Sequence, residues 1–177
     1  MVWAFEPLRE LLHHTTIITW VKQVGKLLPD AYNPDKIPEV GELDELETFV
    51  GKKNKIWLWT AVEHFVPGIL GWVLGDHSAE TFRPLWENVV STWLCYFYVT
   101  DGWLVYPMFI PEGDQIICKT YMTRVEGENT RLRHYLARFH RKTLCYSKSV
   151  EMIKHSVRLL IHYLKFGDVP VPSCCIH

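Results

Sequence analysis

Two runs in this chain leave little choice of architecture. Residues 56–62 and 68–74 are apolar at odd and even positions alike and are separated by a tight connection of five residues, so both read as strands. Alternate side chains of a strand face opposite sides. Trp57 and Trp59 therefore point one way, and Ile56, Leu58 and Val62 point the other. Strands apolar on both sides belong in the interior of a sheet, and helices must cover both of its faces.

The flanking segments supply the rest. Residues 43–50 roughly alternate polar and apolar and predict a strand before these two. Behind the cap candidate Ser78, the residues Phe82, Leu85, Trp86, Val89, Val90 and Trp93 recur at helical spacing. A fourth strand is expected over 95–99, ending at Thr100-Asp101-Gly102, and a shorter fifth over 115–121, after the breaks at Pro107 and Pro111. Two helices follow, over 125–139 and 147–165. Strand, strand, strand, helix, strand, shorter strand and helices is the order of an α/β fold of the ribonuclease-H-like, or retroviral-integrase-like, kind, with a mixed sheet. Ahead of it, Leu8, Leu11 and Leu12 mark one short helix. Ile17, Trp20, Val21, Val24, Leu27 and Leu28 mark a second, after the cap candidates Thr15 and Thr16. Pro29, Pro34 and Pro38, with Asn33 and Gly41, make a linker. The expected division is an N-terminal helical segment over 1–40 and a catalytic-type domain over 41–177. The two short helices suit a generic helical hairpin or part of a helix-turn-helix.

Charge narrows the function. The chain of 177 residues carries a formal charge of −1, which excludes a uniformly basic or uniformly acidic coat. Its distribution is uneven: residues 118–166 hold eleven Lys and Arg against three acids, whereas residues 1–117 hold eight against sixteen. One end can face a polyanion. Five cysteines without a C-x-x-C pair suggest neither a disulfide framework nor a four-cysteine zinc site and point to a reducing compartment. The longest stretch free of Asp, Glu, Lys and Arg, 88–100, is too short for a membrane helix. Glu6, Arg9 and Glu10 interrupt any apolar leader. A cytoplasmic protein with no membrane partner is expected.

In α/β sheets, sites form where strand ends open a crevice, and three acids stand at such places. Asp44 lies early in the first strand, Asp101 just past the fourth, and Glu126 at the start of the helix after the fifth. If the first and fourth strands are neighbours, Asp44 and Asp101 come side by side, and Glu126 completes the group from the helix. Converging carboxylates repel unless cations neutralise them, and oxygen donors without His or Cys favour Mg²⁺ or Mn²⁺. Two such ions suit in-line displacement at phosphorus. The plainer readings are a turn dipeptide for Asp101-Gly102 and a favourable helix-dipole charge for Glu126. Asn129 and Arg133 share the side of Glu126 on its helix. Arg124, Arg131, Arg138, Arg141 and Lys142 make the surroundings basic, as a DNA backbone held over metals requires, or as a solvated helix face would be.

These residues resemble the DDE transposases of the insertion-sequence-one family of bacterial mobile elements, especially their cyanobacterial-type relatives. The resemblance rests on Glu42-Leu43-Asp44-Glu45, Thr100-Asp101-Gly102-Trp103, Thr123-Arg124-Val125-Glu126, and Leu136-Ala137-Arg138-Phe139-His140-Arg141-Lys142 followed by Ser147-Lys148-Ser149. It rests also on the 24 residues between Asp101 and Glu126. The resemblance implies a magnesium-dependent recombinase that cuts at its element's ends and joins 3′-hydroxyls to target DNA. Asp44, Asp101 and Glu126 would be its metal ligands, with Arg133 holding DNA near two ions. It further implies double-stranded DNA as partner, at least a dimer when active, and a location at the bacterial nucleoid. The family's cysteine zinc element has no counterpart before Cys95, and only residues 16–28 look like the tail of its helix-turn-helix. The expectation is thus a catalytic domain lacking most of its end-recognition domain. Its rivals are a non-catalytic DNA-binding remnant and a hydrolytic ribonuclease-H-like nuclease.

Overall fold

The computed structural model describes residues 14–51, 54–140 and 147–170. Its single sheet is built from β1 (Val40–Val50), β2 (Asn54–Glu63), β3 (Ile69–Gly75), β4 (Phe97–Thr100) and β5 (Gln115–Ile117), in the order β3-β2-β1-β4-β5. The three long strands form an antiparallel meander. β4 joins β1 in parallel, and β5 joins β4 in parallel. The first and fourth strands are therefore neighbours, which is the adjacency the carboxylate argument needs.

Both faces of the sheet are covered. Ile56, Leu58 and Val62 of β2 enter one core with Leu46, Val99, Val125, Leu132, Phe139, Ile153, Val157 and Ile161. That core lies under α3 (Thr123–Tyr135) and α4 (Val150–Phe166). Trp59 joins Leu43, Phe82, Leu85, Trp93, Tyr98 and Tyr106 in a second core, with Trp57 packed at its edge. There α2 (Ala79–Asn88) covers the sheet, begun by Ser78, whose hydroxyl accepts from the Thr81 N–H. The opposed directions of the β2 side chains, read from the sequence, are those observed.

Several boundaries move. β1 begins at Val40, so Asp44 stands well inside the strand and not early in it. The fourth strand starts two residues later than 95. The fifth ends at Ile117, and Lys119–Tyr121 forms a 3-10 turn. The helix expected over 125–139 stops at Tyr135, Leu136 is extended, and Ala137–Phe139 is a 3-10 turn. Tertiary contacts set that break: it delivers Phe139 into the core, and the Thr48 hydroxyl of β1 donates to the Arg138 carbonyl.

The described N-terminal helix, α1 (His14–Leu27), rests on α4. A Cβ on Gly25 would lie 2.6 Å from Nδ1 of His155, so only glycine permits this approach. Arg158 locks the joint with a fork onto Asp30 (2.6 and 2.8 Å) and a third bond to the Gly25 carbonyl (3.2 Å). Only the later part of the expected apolar stripe is buried. Val24 and Leu28 are covered, while Ile17, Trp20 and Leu27 are exposed, because the contact with α4 centres on Gly25. The helix expected at Leu8, Leu11 and Leu12 lies outside the described residues. Among the described residues no helix is long and apolar enough to cross a membrane.

Candidate active site

β1 alternates its side chains across the sheet. Leu43 and Glu45 turn toward the α2 side, and Glu42, Asp44 and Leu46 toward α3 and α4. Asp44 meets Asn129 of α3, whose amide Nδ2 donates to Oδ2 at 2.8 Å. Thr60, opposite Asp44 on β2, sets the orientation of that amide by placing its hydroxyl 3.1 Å from Asn129 Oδ1. Burial pushes the Asp44 carboxyl up to about 6, the charges of Glu45 and Asp101 add to the rise, and the Asn129 bond opposes it.

Asp101 reaches this neighbourhood through strand register. Glu42 pairs with Val99 at the last position of the parallel β1–β4 ladder; Asp44 and Asp101 each follow two residues on, and the charge of Asp101 is felt at Asp44. Asp101 Oδ1 accepts from the Trp103 N–H at 2.9 Å. Glu126 lies exposed on the first turn of α3. It shares an open cleft of about 360 Å³ with Asp44, Glu45, Asn129, Thr130 and Arg133. Asp101 is felt by Asp44 but does not line that cleft. Among the described residues no three His, Cys, Asp or Glu side chains are gathered closely enough to hold a metal ion. By chemistry the donors suit a hard cation: they are carboxylates, and a cation would relieve the like charges of Glu45 and Asp101 that act on Asp44.

Two glutamates flanking Asp44 tie the surrounding elements together. Glu42 is wholly buried; its Oε2 accepts from the Val125 N–H at 2.7 Å, and its other oxygen pairs with Nδ1 of His64. Val125 is in the first turn of α3, where amides lack helical partners and where Met122 provides no side-chain cap. A strand residue thus caps the helix that bears Glu126. On the other face Glu45 accepts from the Tyr106 hydroxyl (2.6 Å) and pairs with Nε2 of His77 (3.0 Å). The His77 ring stacks on Trp57 (centroids 4.8 Å, planes 5° apart) and on Trp103 (4.3 Å, 12°).

The remaining sequence-predicted residues fall into distinct places. Arg133 lines the carboxylate cleft as expected, and also an adjoining one of about 300 Å³ with Glu47, Thr48, Phe49, Arg138, Phe139 and His140. Arg138 extends the trough into a third cleft, beside Lys148 and Ile18. Asn129, on the side of Glu126 and read with Arg133 as a DNA-contact candidate, is instead 2% exposed and serves as the partner of Asp44. Arg131 forks onto Glu128 (3.0 Å to each oxygen), and Arg124 donates to the His64 carbonyl at 3.3 Å. Arg141 and Lys142 lie outside the described residues. Glu128, two residues after Glu126 on the same helix, is 4% exposed and is held by Arg131 and the Gly68 N–H, away from the cleft. The roles of Glu42, Glu45, Thr60, His64 and His77 were not read from the sequence. One signal was available: Glu42 has the strand parity of Leu46, so it is an acid on a core-facing side, and such an acid requires partners.

Comparison with known proteins returns one family. The model of the family described as IS1 transposase matches residues 39–166. The InsB protein of insertion element IS1 from Shigella flexneri is 34% identical over 124 residues, covering 70% of this chain and 92% of that protein. Its Shigella sonnei counterpart matches equally, and an InsB protein of Escherichia coli K12 matches at the same identity over 72% of its length. No solved structure matches significantly.

Proposed function

Because the chain belongs to the IS1 transposase family, we propose that it is the ribonuclease-H-like catalytic domain of a DDE transposase. It cuts DNA at element ends and joins the freed ends to target DNA. The observation that carries the reading is the parallel β1–β4 pairing, which brings Asp101 close enough for its charge to be felt by the half-buried Asp44, while Glu126 shares the cleft of Asp44. The strand order supports the fold assignment.

In this reading Asp44, Asp101 and Glu126 would hold Mg²⁺, with Mn²⁺ as a substitute, once drawn closer together than they stand here. When bound, a pair of such ions activates an attacking oxygen and stabilises a leaving one at phosphorus. The chain's own residues do the rest. Asn129, itself oriented by Thr60, fixes one oxygen of the Asp44 carboxylate, and Asp44 lines the cleft it shares with Glu126. Arg133, between the carboxylate cleft and the next, holds a backbone phosphate at the reacting centre. Arg138 and Lys148 continue the track for double-stranded DNA. Two element ends require at least two copies of the chain.

The test is incubation with a pre-cut element end, a target plasmid and Mg²⁺ or Mn²⁺. Joined product is expected from the wild type, and Glu126→Gln should reduce it by about 10³-fold or more, as loss of a group acting in the transition state does. Nicking without joining would favour the hydrolytic nuclease. Binding without either would favour the non-catalytic remnant. Activity that survives Glu126→Gln would remove Glu126 from the site.

A further inference from the structure

The run Glu42-Leu43-Asp44-Glu45 contains three acids, and the proposed chemistry uses one. We propose that the other two are positioning residues, each holding one of the separate elements that must meet Asp44: Glu42 docks the helix bearing Glu126, and Glu45, through His77 and Trp103, docks the segment bearing Asp101. The assignment of Asp44, Asp101 and Glu126 rests on the reading above; the two docking contacts stand on geometry alone.

The Glu42 arm is a helix cap supplied from a distant strand. A first-turn amide left without a partner in a buried site is costly, and the Met122 side chain cannot serve it. Glu42 Oε2 takes the Val125 N–H. His64 answers the other Glu42 oxygen, and the His64 carbonyl receives Arg124 from the same turn of α3. The start of α3 is therefore gripped at two successive residues, Arg124 and Val125, immediately before Glu126.

The Glu45 arm compensates for weak secondary structure. Asp101 follows a strand of four residues whose outer neighbour has three, so few ladder bonds restrain it. Trp103 is the link: its N–H bonds to the Asp101 carboxylate, and its ring stacks on His77. His77 has Trp57 on it as well and Glu45 on its Nε2. Trp59 secures the His77 loop by donating Nε1 to the Asp76 carbonyl at 3.0 Å. Tyr106 returns the chain after Trp103 to the second oxygen of Glu45. One carboxylate on β1 thus fixes both the loop after β3 and the loop after β4.

The geometry predicts separable lesions. Hydrogen exchange of the full chain, without DNA or metal, should show Glu45→Gln and His77→Ala speeding exchange about tenfold or more over 101–106, with 123–128 unchanged. Glu42→Gln, which keeps one acceptor oxygen but loses the ionic partner of His64, should do the reverse. His77→Phe, which can still stack but cannot reach Glu45, should recover only part of the protection lost in His77→Ala; full recovery would show that the stack acts without Glu45. Mn²⁺ titration of the same proteins should show affinity about tenfold weaker in Glu45→Gln and His77→Ala, the size of effect seen when groups orienting metal ligands are removed. Loosening of both segments together by either glutamate variant would reduce these residues to general sheet stability and overturn the proposal. Unchanged exchange at 101–106 in His77→Ala, or no difference between its Ala and Phe variants, would remove the Glu45 arm. A wild type that neither binds Mn²⁺ nor joins DNA would sink the catalytic reading, while the exchange pattern would still decide the docking contacts.

Discussion

Asp44 lies in β1 and Asp101 directly after its neighbour β4, yet the two strands are built very differently. β1 is eleven residues long, pairs with β2 along ten register positions and with β4 on its other edge, and sends side chains into both cores. β4 has four residues, and its outer neighbour β5 has three, one of them Ile117, which is 63% exposed. The carboxylate in the middle of the sheet is placed by backbone ladders and buried apolar surface. The one toward the edge is placed by a few side-chain contacts. A site divided in this way has one fixed member and one that depends on its supports.

The contrast breaks most visibly in stability. Leu58, wholly buried on β2, should cost about 3–4 kcal/mol when truncated to Ala, the sum of lost transfer energy and an uncollapsed cavity. Ile117→Ala on β5 should stay within about 0.5 kcal/mol, as exposed substitutions do. Urea midpoints measured at unchanged m-value would compare them. Equal losses at the two positions would mean that the short parallel strands are as integral to the fold as the meander.

Burial of the fixed member has a consequence in pH. Asp44 titrates near 6 in the folded protein, against an ordinary 3.8. Between those values the folded chain retains a proton that the unfolded chain has released. The Asp44 contribution to the stability of the metal-free protein therefore falls as pH rises through that window, by on the order of 3 kcal/mol, and levels off above it. Asp44→Asn should flatten the decline. Saturating Mg²⁺ should oppose it, since a bound cation favours the ionised carboxylate. A stability difference between metal-free wild type and Asp44→Asn that stays constant from pH 4 to 6 would contradict the burial of this group.

The same division explains what could be read from the sequence. The meander was legible because period-two patterning and unbroken apolar runs report burial directly: Trp57 and Trp59 went to one core, and Ile56, Leu58 and Val62 to the other. Ser78 announced its helix. The neighbourhood of Asp44 and Asp101 followed from strand order. What failed were features decided by contacts distant in sequence. Nothing local ends α3 at Tyr135; Phe139 and the Thr48 bond do. Nothing local marks Asn129 as the partner of Asp44 and not of DNA, since helical spacing gives a residue's side but not what stands opposite. Glu42–His64 and Glu45–His77 join residues 22 and 32 positions apart, and a single sequence carries no register that would pair them.

DNA binding offers the finest test of the comparison, because the proposed track lies on the well-anchored side. Arg133 projects from α3, and Arg138 from the turn that Phe139 and Thr48 fasten to the core. Each charge that meets a phosphate releases condensed counterions, so the steepness of the salt dependence counts such contacts. Arg133→Ala and Arg138→Ala should each reduce the slope of log K against log salt by about 1, with affinity for random and element-end duplex falling alike. Arg131→Ala should leave the slope unchanged, since its guanidinium is already matched by both oxygens of Glu128. Trp103→Ala, on the weakly supported edge, should also leave the slope unchanged while lowering strand joining, because it disturbs the Asp101 segment and not the phosphate track. If Trp103→Ala flattened the salt dependence as much as Arg133→Ala, the DNA path would have to cross the edge loop, and the assignment of binding to one side and adjustable positioning to the other would fail.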